Sequence, residues 1–130
     1  MANIQPFLMF EGRAEEAMNF YISLFAGAEV LEVVRYAANE GAVEGSVKKA
    51  RFSIGSQTIL CTDSPYKHGF SFTPSISLWV ECGSVTEFSL LYTALTSGGR
   101  TLMPDGSYGF SRKFAWVSDR FGVSWQLNLA

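Results

Sequence analysis

The hydrophobic pattern is most regular in residues 124–129, SWQLNL, where apolar and polar side chains alternate. Trp125, Leu127 and Leu129 are the apolar residues, and the residues between them are polar. A period of two predicts a strand with one buried face and one polar face. Because this stretch also contains a Trp, we expect the strand to lie in the middle of a sheet. Its polar face is where we expect a ligand.

The pattern of the first half of the chain predicts the order β-α-β-β-β. Apolar residues at spacings of three and four predict a helix over residues 13–25, and Gly27 is a plausible stop signal after it. Short apolar or alternating runs predict strands over residues 4–10, 29–37, 47–54 and 57–62. The tight turn Gly55-Ser56 joins the last two strands.

The same order of elements follows a segment rich in Pro, Gly and Ser. We interpret residues 65–74 as a linker between a module of residues 1–64 and a module of residues 75–130, both in a single domain. Ser84 and Glu87 form a capping box that predicts a helix over residues 84–97. Strands are predicted over residues 75–81, 100–103, 113–117 and 124–129, with a turn at Pro104-Asp105-Gly106.

The duplicated order predicts an α+β fold in which two βαβββ modules form a cup-shaped mixed sheet with the helices on the outside. A generic α+β sandwich and a ferredoxin-like pair of modules are the structural alternatives that the pattern leaves open.

Composition and charge narrow the classes of function. Hydrophobic residues make up 48% of the chain and charged residues 17%, which is typical of a folded domain. The net charge is −2 and no run of basic residues occurs, so we expect no nucleic-acid partner. No apolar segment approaches the roughly 20 residues that span a bilayer, and no secretory signal is evident, so we expect a cytoplasmic protein without a membrane partner. Cys61 and Cys82 lack a CxxC spacing and are expected to be reduced.

Three segments resemble the vicinal oxygen chelate superfamily, and within it the PhnB-like proteins. They are PFLMFEGRAEEAMNFYISLFAGAEV, RFSIGSQTILCTDS and WVSDRFGVSWQLN. The first is similar to the family's opening strand and helix, and the last to its Asp-x-x-Gly-x-x-Trp-x-Leu ending. The superfamily includes glyoxalases, bleomycin resistance proteins and dioxygenases, and the PhnB-like group often carries a 3-demethylubiquinone-9 3-methyltransferase label. This sequence lacks a Gly-rich nucleotide-binding turn after a strand, so methyl transfer is not expected.

The resemblance also implies the position of a metal site. Enzymes of the superfamily hold a divalent metal with four His or Glu ligands, and the metal binds vicinal oxygens of the substrate. The matching positions here are Gln5, Ser75, Gln126 and either Leu60 or Cys61. Neutral amides and hydroxyls are poor ligands for such an ion. We therefore expect no metal and no other cofactor.

Gln126 is the strongest candidate for ligand binding, because an amide can both donate and accept hydrogen bonds. Trp79 and Trp116 are expected to flank the cleft, whereas Trp125 should point the other way, towards a helix. For Gln126 the competing interpretation is a solvent-facing side chain, and for each Trp it is a core position. Ser124 and Asn128 are weaker candidates on the Gln126 face. The other predicted ligand-contacting residues are Gln5, Phe7, Met9, Cys61, Ser75, Ser77 and Tyr108.

For the remaining residues with reactive or charged side chains, structural roles are favoured over catalytic ones. Cys61 is more consistent with a structural thiol than with a nucleophile, and His68 lies in a predicted loop, where a general-base role is not favoured. Asp63 and Asp119 each follow a strand, so we expect them to cap the backbone at turns.

These observations predict a small-molecule binding protein that works without a metal and uses an aromatic-lined cleft. The alternative is a metal-dependent enzyme of the glyoxalase or dioxygenase type, a lyase or an oxidoreductase, with atypical ligands. The resemblance also implies a homodimer.

Overall fold

The structure, a computed structural model that describes residues 1–130, divides into two compact units, Met1–His68 and Gly69–Ala130. The division lies inside the predicted linker. Each unit contains one four-stranded sheet and one helix in the order β-α-β-β-β. The predicted α+β fold class with two βαβββ modules is therefore confirmed. Both helices fall short of the length and apolar character that a membrane-spanning helix needs.

Unit 1 is a mixed sheet with one face covered by its helix. Its elements are β1 (Phe7–Phe10), α1 (Ala14–Leu24), β2 (Glu29–Arg35), β3 (Val47–Ile54) and β4 (Gln57–Asp63). The strand order is β1-β4-β3-β2, with β1 parallel to β4 and the other pairs antiparallel. Tyr21 of α1 stacks on Phe52 of β3 with ring centres 6.3 Å apart. Phe52 pairs with Ile59, so the helix covers the face that carries these two residues.

Asp63 joins three segments of unit 1. Its Oδ1 accepts hydrogen bonds from the backbone N–H groups of Gly12 (2.8 Å) and Ala14 (2.9 Å), at the start of α1. Its Oδ2 accepts from the N–H of Val47 (3.0 Å), where β3 begins. The carboxylate therefore satisfies donors that the helix and strand leave open. Asp63 binds backbone N–H groups as predicted, but these groups belong to distant segments and not to a turn after β4.

Unit 2 repeats this arrangement. Its elements are β5 (Leu78–Glu81), α2 (Val85–Thr96), β6 (Arg100–Gly106), β7 (Lys113–Ser118) and β8 (Ser124–Leu129). The strand order is β5-β8-β7-β6, so β8 lies in the middle of its sheet as predicted. Ser84 caps α2 by accepting a hydrogen bond from the N–H of Glu87 (3.1 Å). The Glu87 carboxylate accepts from the N–H of Gly83 (2.7 Å), which completes the cap.

The odd-numbered residues of β8 face α2. Lys113 Nζ lies 5.3 Å from the centre of the Phe88 ring on α2, and Lys113 pairs with Leu129 of β8. Leu127 and Trp125 lie on the same face as Leu129, because side chains alternate along a strand, and both are buried. The prediction that Trp125 points towards a helix is confirmed.

Asp119 shapes the turn that leads into β8. Its Oδ1 accepts from the N–H groups of Phe121 (2.8 Å) and Val123 (3.1 Å), and its Oδ2 accepts from the indole N–H of Trp125 (2.9 Å). Gly122 has φ +91° in this turn, a conformation that favours glycine. The predicted capping role of Asp119 is confirmed.

Two predicted strands begin too early. The strand predicted over residues 4–10 begins at Phe7, which leaves Gln5 outside it, although the carbonyl of Pro6 still accepts from the N–H of Leu60 (2.9 Å). The strand predicted over residues 75–81 begins at Leu78, because Ser75 lies in a turn in which its N–H donates to Thr73 Oγ1 (3.4 Å). Ser75 and Ser77 therefore precede β5.

The predicted turn at Pro104-Asp105-Gly106 is also wrong, since these residues belong to β6. Proline lacks the N–H that a central strand needs, but β6 is an edge strand. Its pairing with β7 shifts register between Met103 and Gly106. An edge position with an irregular register accommodates the proline without losing a ladder of hydrogen bonds.

Candidate functional site

Gln126 lies at the centre of a row of side chains that crosses the sheet of unit 2. It pairs with Trp79 of β5 on one side and with Trp116 of β7 on the other. Met103 of β6 pairs with Trp116 and extends the row. Residues paired across strands project from the same face, and Gln126 alternates with the helix-facing Trp125 and Leu127. We call this surface, opposite α2, the Gln126 face.

A hydrogen-bond network fixes the middle of the Gln126 face. The indole N–H of Trp116 donates to Ser124 Oγ (2.9 Å), which lies 2.6 Å from Ser77 Oγ. Gln126 Nε2 donates to Ser77 Oγ (3.1 Å). Ser77 therefore joins the site although it precedes β5. The network engages one end of the Gln126 amide and leaves the other end without a partner in the chain.

A second polar group lies next to Gln126 along the strands, in the row formed by Glu81, Asn128 and Phe114. Asn128 Nδ2 donates to Glu81 Oε2 (3.0 Å), and the indole N–H of Trp79 donates to Glu81 Oε1 (2.7 Å). These two hydrogen bonds hold the pKa of Glu81 below its usual range, and the one from Asn128 has the larger effect. Glu81 lies on the same face of β5 as Trp79, because Val80 between them points to the opposite face.

Aromatic rings surround this polar group. Phe114 is buried, and its ring centre lies 5.9 Å from that of Trp79, 5.8 Å from that of Tyr108 and 5.0 Å from that of Phe110. Trp79, Tyr108 and Phe110 are 51%, 40% and 61% exposed. We call these four residues the aromatic cluster. Tyr108 was predicted to contact a ligand, whereas Phe110 and Phe114 were missed. The register of β7 brings Phe114 beside Trp79, and Phe110, in the loop before β7, joins the cluster through its contacts with Phe114 and Tyr108.

The predicted site residues of unit 1 separate onto two faces of its sheet. Phe7 and Met9 pair with Leu60 and Thr62, so they lie on the face away from α1. Cys61 lies on the helix-covered face and is fully buried.

Burial, with a smaller contribution from Asp63, raises the pKa of the Cys61 thiol to about 12. Cys61 lies between the sheet and α1, on the face opposite to that of Phe7 and Met9, and the expectation of a structural thiol fits this position.

The residues at the implied metal positions do not suit a divalent ion. Gln126 and Ser75 supply a neutral amide and a hydroxyl, Gln5 supplies a second amide, and Cys61 is directed towards α1. No three side chains of His, Cys, Asp or Glu come together anywhere in the chain. A zinc-type or magnesium-type ion prefers imidazole, thiolate or carboxylate ligands. We therefore derive no chemistry through a metal.

His68 lies beside a separate cleft in unit 1. Its Nε2 is 2.8 Å from Ser64 Oγ, and its backbone N–H donates to Glu11 (3.2 Å). The cleft has a volume of about 630 Å³. It is lined by residues 11–12, 41–43, 46 and 63–67. Ser64 Oγ also accepts from the N–H of Tyr66 (3.2 Å), which is the hydrogen bond of a local turn. We assign no function to this pair.

Comparison with known proteins identifies the family. The chain matches the family model described as 3-demethylubiquinone-9 3-methyltransferase over residues 2–128. It is 49% identical to the PhnB protein from Bacillus cereus, with a TM-score of 0.96 and coverage of 99% of this chain and 100% of that chain. A protein from Pseudomonas aeruginosa is 28% identical, with a TM-score of 0.84 over 99% of this chain and 98% of that chain.

The fold extends to more distant proteins. A glyoxylase/bleomycin resistance protein/dioxygenase domain from Frankia sp. EAN1pec is 13% identical and superimposes with a TM-score of 0.65, over 100% of this chain and 98% of that chain. At that identity the likeness shows a shared fold. No curated protein matched the chain. The chain belongs to the 3-demethylubiquinone-9 3-methyltransferase family, the PhnB-like group.

Proposed function

We propose that this PhnB-like chain binds a small organic molecule on the Gln126 face without the help of a metal ion. The observation that carries the proposal is the row of Trp79, Gln126 and Trp116, in which an amide lies between two indole rings. A surface of this kind offers apolar contact area and one orienting polar group, the combination typical of small-molecule sites. The neutral residues at the implied metal positions support binding without an ion.

The geometry indicates what each group contributes. The exposed ring of Trp79 provides a flat apolar surface for a planar ligand. Ser77 and Ser124 hold Gln126 and Trp116 in place before a ligand arrives. Such preorganisation reduces the side-chain entropy that binding would otherwise cost. The end of the Gln126 amide that has no partner then orients the ligand through a hydrogen bond.

A thermal-shift screen of aromatic compounds and antibiotics tests the proposal. Compounds that stabilise the wild-type chain are then titrated into Gln126→Leu, with Gln57→Leu as the matched control, because Gln57 is exposed at the start of β4 in unit 1. We expect Gln126→Leu to weaken binding about tenfold, the effect of one lost orienting hydrogen bond. The proposal is wrong if no compound stabilises the chain, or if the two variants bind alike.

Equilibrium dialysis against zinc, manganese and nickel distinguishes this function from the metal-dependent alternative. We expect no tight stoichiometric uptake of any of the three ions. Uptake of one ion per chain that survives extensive washing would contradict metal-independent binding and would favour the enzyme.

We further propose that the chain forms a homodimer in the cytoplasm. Val30, Leu31 and Val34 are apolar and exposed on β2, an edge strand of unit 1, which supports an interface there. Cys61 and Cys82 are free thiols, as a reducing compartment favours. Sedimentation equilibrium tests the dimer, and a mass of one chain at micromolar concentration would contradict it.

A further inference from the structure

Glu81 presents an oriented carboxylate that no cationic side chain neutralises. Trp79 Nε1 and Asn128 Nδ2 hold its two oxygens at 2.7 and 3.0 Å. The ion pairs of the chain all join other residues. A carboxylate oxygen has two acceptor positions, so each oxygen of Glu81 can accept one more hydrogen bond. Glu81 is exposed, and both remaining positions are therefore open to a ligand.

Asn128 adds a second acceptor without a partner. Its amide nitrogen must face Glu81, because an amide oxygen and a carboxylate are both acceptors and would repel each other. Asn128 Oδ1 consequently points away from Glu81, and it is buried without a hydrogen-bond partner. Asn128 as a whole is only 8% exposed. Buried acceptors in folded proteins nearly always have a donor, and the chain itself supplies none to this oxygen.

The aromatic cluster lies against these acceptors. Trp79 belongs to both groups, since its N–H binds Glu81 and its ring contacts Phe114, and Phe114 pairs with Asn128. The faces of aromatic rings carry partial negative charge and attract cations. The nearest candidate for an internal cation on β7, Lys113, lies on the α2 side, where it contacts Phe88 and pairs with Asp105 (3.6 Å).

We infer that the ligand of the Gln126 face is an organic cation, in which an ammonium or guanidinium group donates to Glu81 and an attached apolar body lies against the aromatic cluster. This inference rests on the proposed function and specifies its ligand class. Acceptor oxygens and ring faces together favour a ligand that is a hydrogen-bond donor and positively charged. A ligand with a carboxylate at the same place would be repelled by Glu81.

The test uses three probes that share a phenyl ring and differ in charge. They are 2-phenylethylamine, 2-phenylethanol and phenylacetate, titrated at pH 7 while the indole N–H signal of Trp79 is followed by NMR. We expect the amine to bind about five- to tenfold more tightly than the alcohol, as one cation–aromatic contact and one exposed ion pair imply. Phenylacetate should be the weakest of the three.

Glu81→Gln and Glu44→Gln form a matched pair of variants, because each removes one negative charge and Glu44 is exposed in a loop of unit 1. We expect Glu81→Gln to reduce the preference for the amine over the alcohol to about two- to threefold, because only the cation–aromatic contact remains. Glu44→Gln should keep the wild-type preference. If Glu81→Gln fails to fold, the order of the three affinities measured on the wild-type chain is sufficient to test the inference.

The outcomes separate this inference from the proposed function. Equal affinity for amine and alcohol, tighter binding of phenylacetate, or an unchanged preference in Glu81→Gln would overturn the cation inference and leave small-molecule binding intact. Failure of all three probes at millimolar concentration would also overturn it. Failure of the whole compound screen would remove the proposed function as well.

Discussion

Replacing Asp119 with alanine should destabilise the chain strongly, because this buried carboxylate holds the turn before β8. It accepts three hydrogen bonds, from the N–H groups of Phe121 and Val123 and from the indole of Trp125. Alanine removes all three acceptor contacts and fills none of the space of the carboxylate. The three donors differ in how easily a water molecule can replace the carboxylate as their hydrogen-bond acceptor.

The size of the expected destabilisation depends on how deeply each of the three donors is buried. The Phe121 N–H is only partly buried and can bind water, whereas the N–H of Val123 and the indole of Trp125 are buried. Each buried donor left without a partner costs about 1–3 kcal/mol. For these two donors together we therefore expect a loss of about 2–6 kcal/mol in the free energy of unfolding. For a chain of this size, at roughly 4 °C per kcal/mol, that corresponds to a decrease of about 8–24 °C in Tm.

Urea denaturation followed by far-UV circular dichroism measures this change, with Asp105→Ala as the control. Asp105 forms an ion pair with Lys113 in which both side chains are partly exposed, so its loss should cost no more than about 1 kcal/mol. The slope of the transition should stay the same in both variants. A loss below about 1 kcal/mol for Asp119→Ala would refute the claim that its three acceptor contacts stabilise the turn.

Three further outcomes follow from other parts of the chain. The Cys61 thiol, whose pKa burial raises to about 12, should react with a disulfide reagent at pH 8 only after the chain unfolds, and rapid labelling of the folded chain would contradict this. Gly99→Ala would place its Cβ 2.2 Å from the carbonyl oxygen of Ser118 and should lower stability by at least about 2 kcal/mol. Gly69→Ala, where the added Cβ meets nothing, is the control for urea unfolding. The pKa of Glu81 lies below its ordinary value because Asn128, and then Trp79, donate to the ionised form. These hydrogen bonds stabilise the fold at pH values above the pKa of an unfolded glutamate, and this stabilisation is lost as the pH falls through the lowered pKa. An NMR titration that finds the pKa of Glu81 at or above that of an unfolded glutamate would disprove the assignment.

Much of the fold was predictable because its signals are local. The alternation of residues 47–54 and 124–129 predicts both ends of β3 and β8. Ser84 and Glu87 indicate the start of α2 through a cap that involves neighbouring residues only. The strands whose starts were wrong, β1 and β5, each pair in parallel with a strand far along the chain. Where such a strand begins depends on its distant partner, and no local pattern records that.

The candidate site was also predictable in part, where its signals are local. The polar positions of β8 follow from its alternation, and the family resemblance directed attention to Gln126. The resemblance left Leu60 and Cys61 as alternatives, and a difference of one residue reverses the face of a strand. Leu60 pairs with Phe7, away from α1, whereas Cys61 is buried beneath the helix.

The amino-acid sequence by itself determined the order of the elements and the face of β8 that would be polar, because each depends on residue type and local periodicity. Only the tertiary structure decided that Trp79, Gln126 and Trp116 form one row, since that requires the register of three strands. It also decided that Glu81 is held by Trp79 and Asn128. Side chains as far apart in sequence as Glu81 and Asn128 meet only through strand pairing, so the acceptor group that defines the proposed ligand is a property of the sheet.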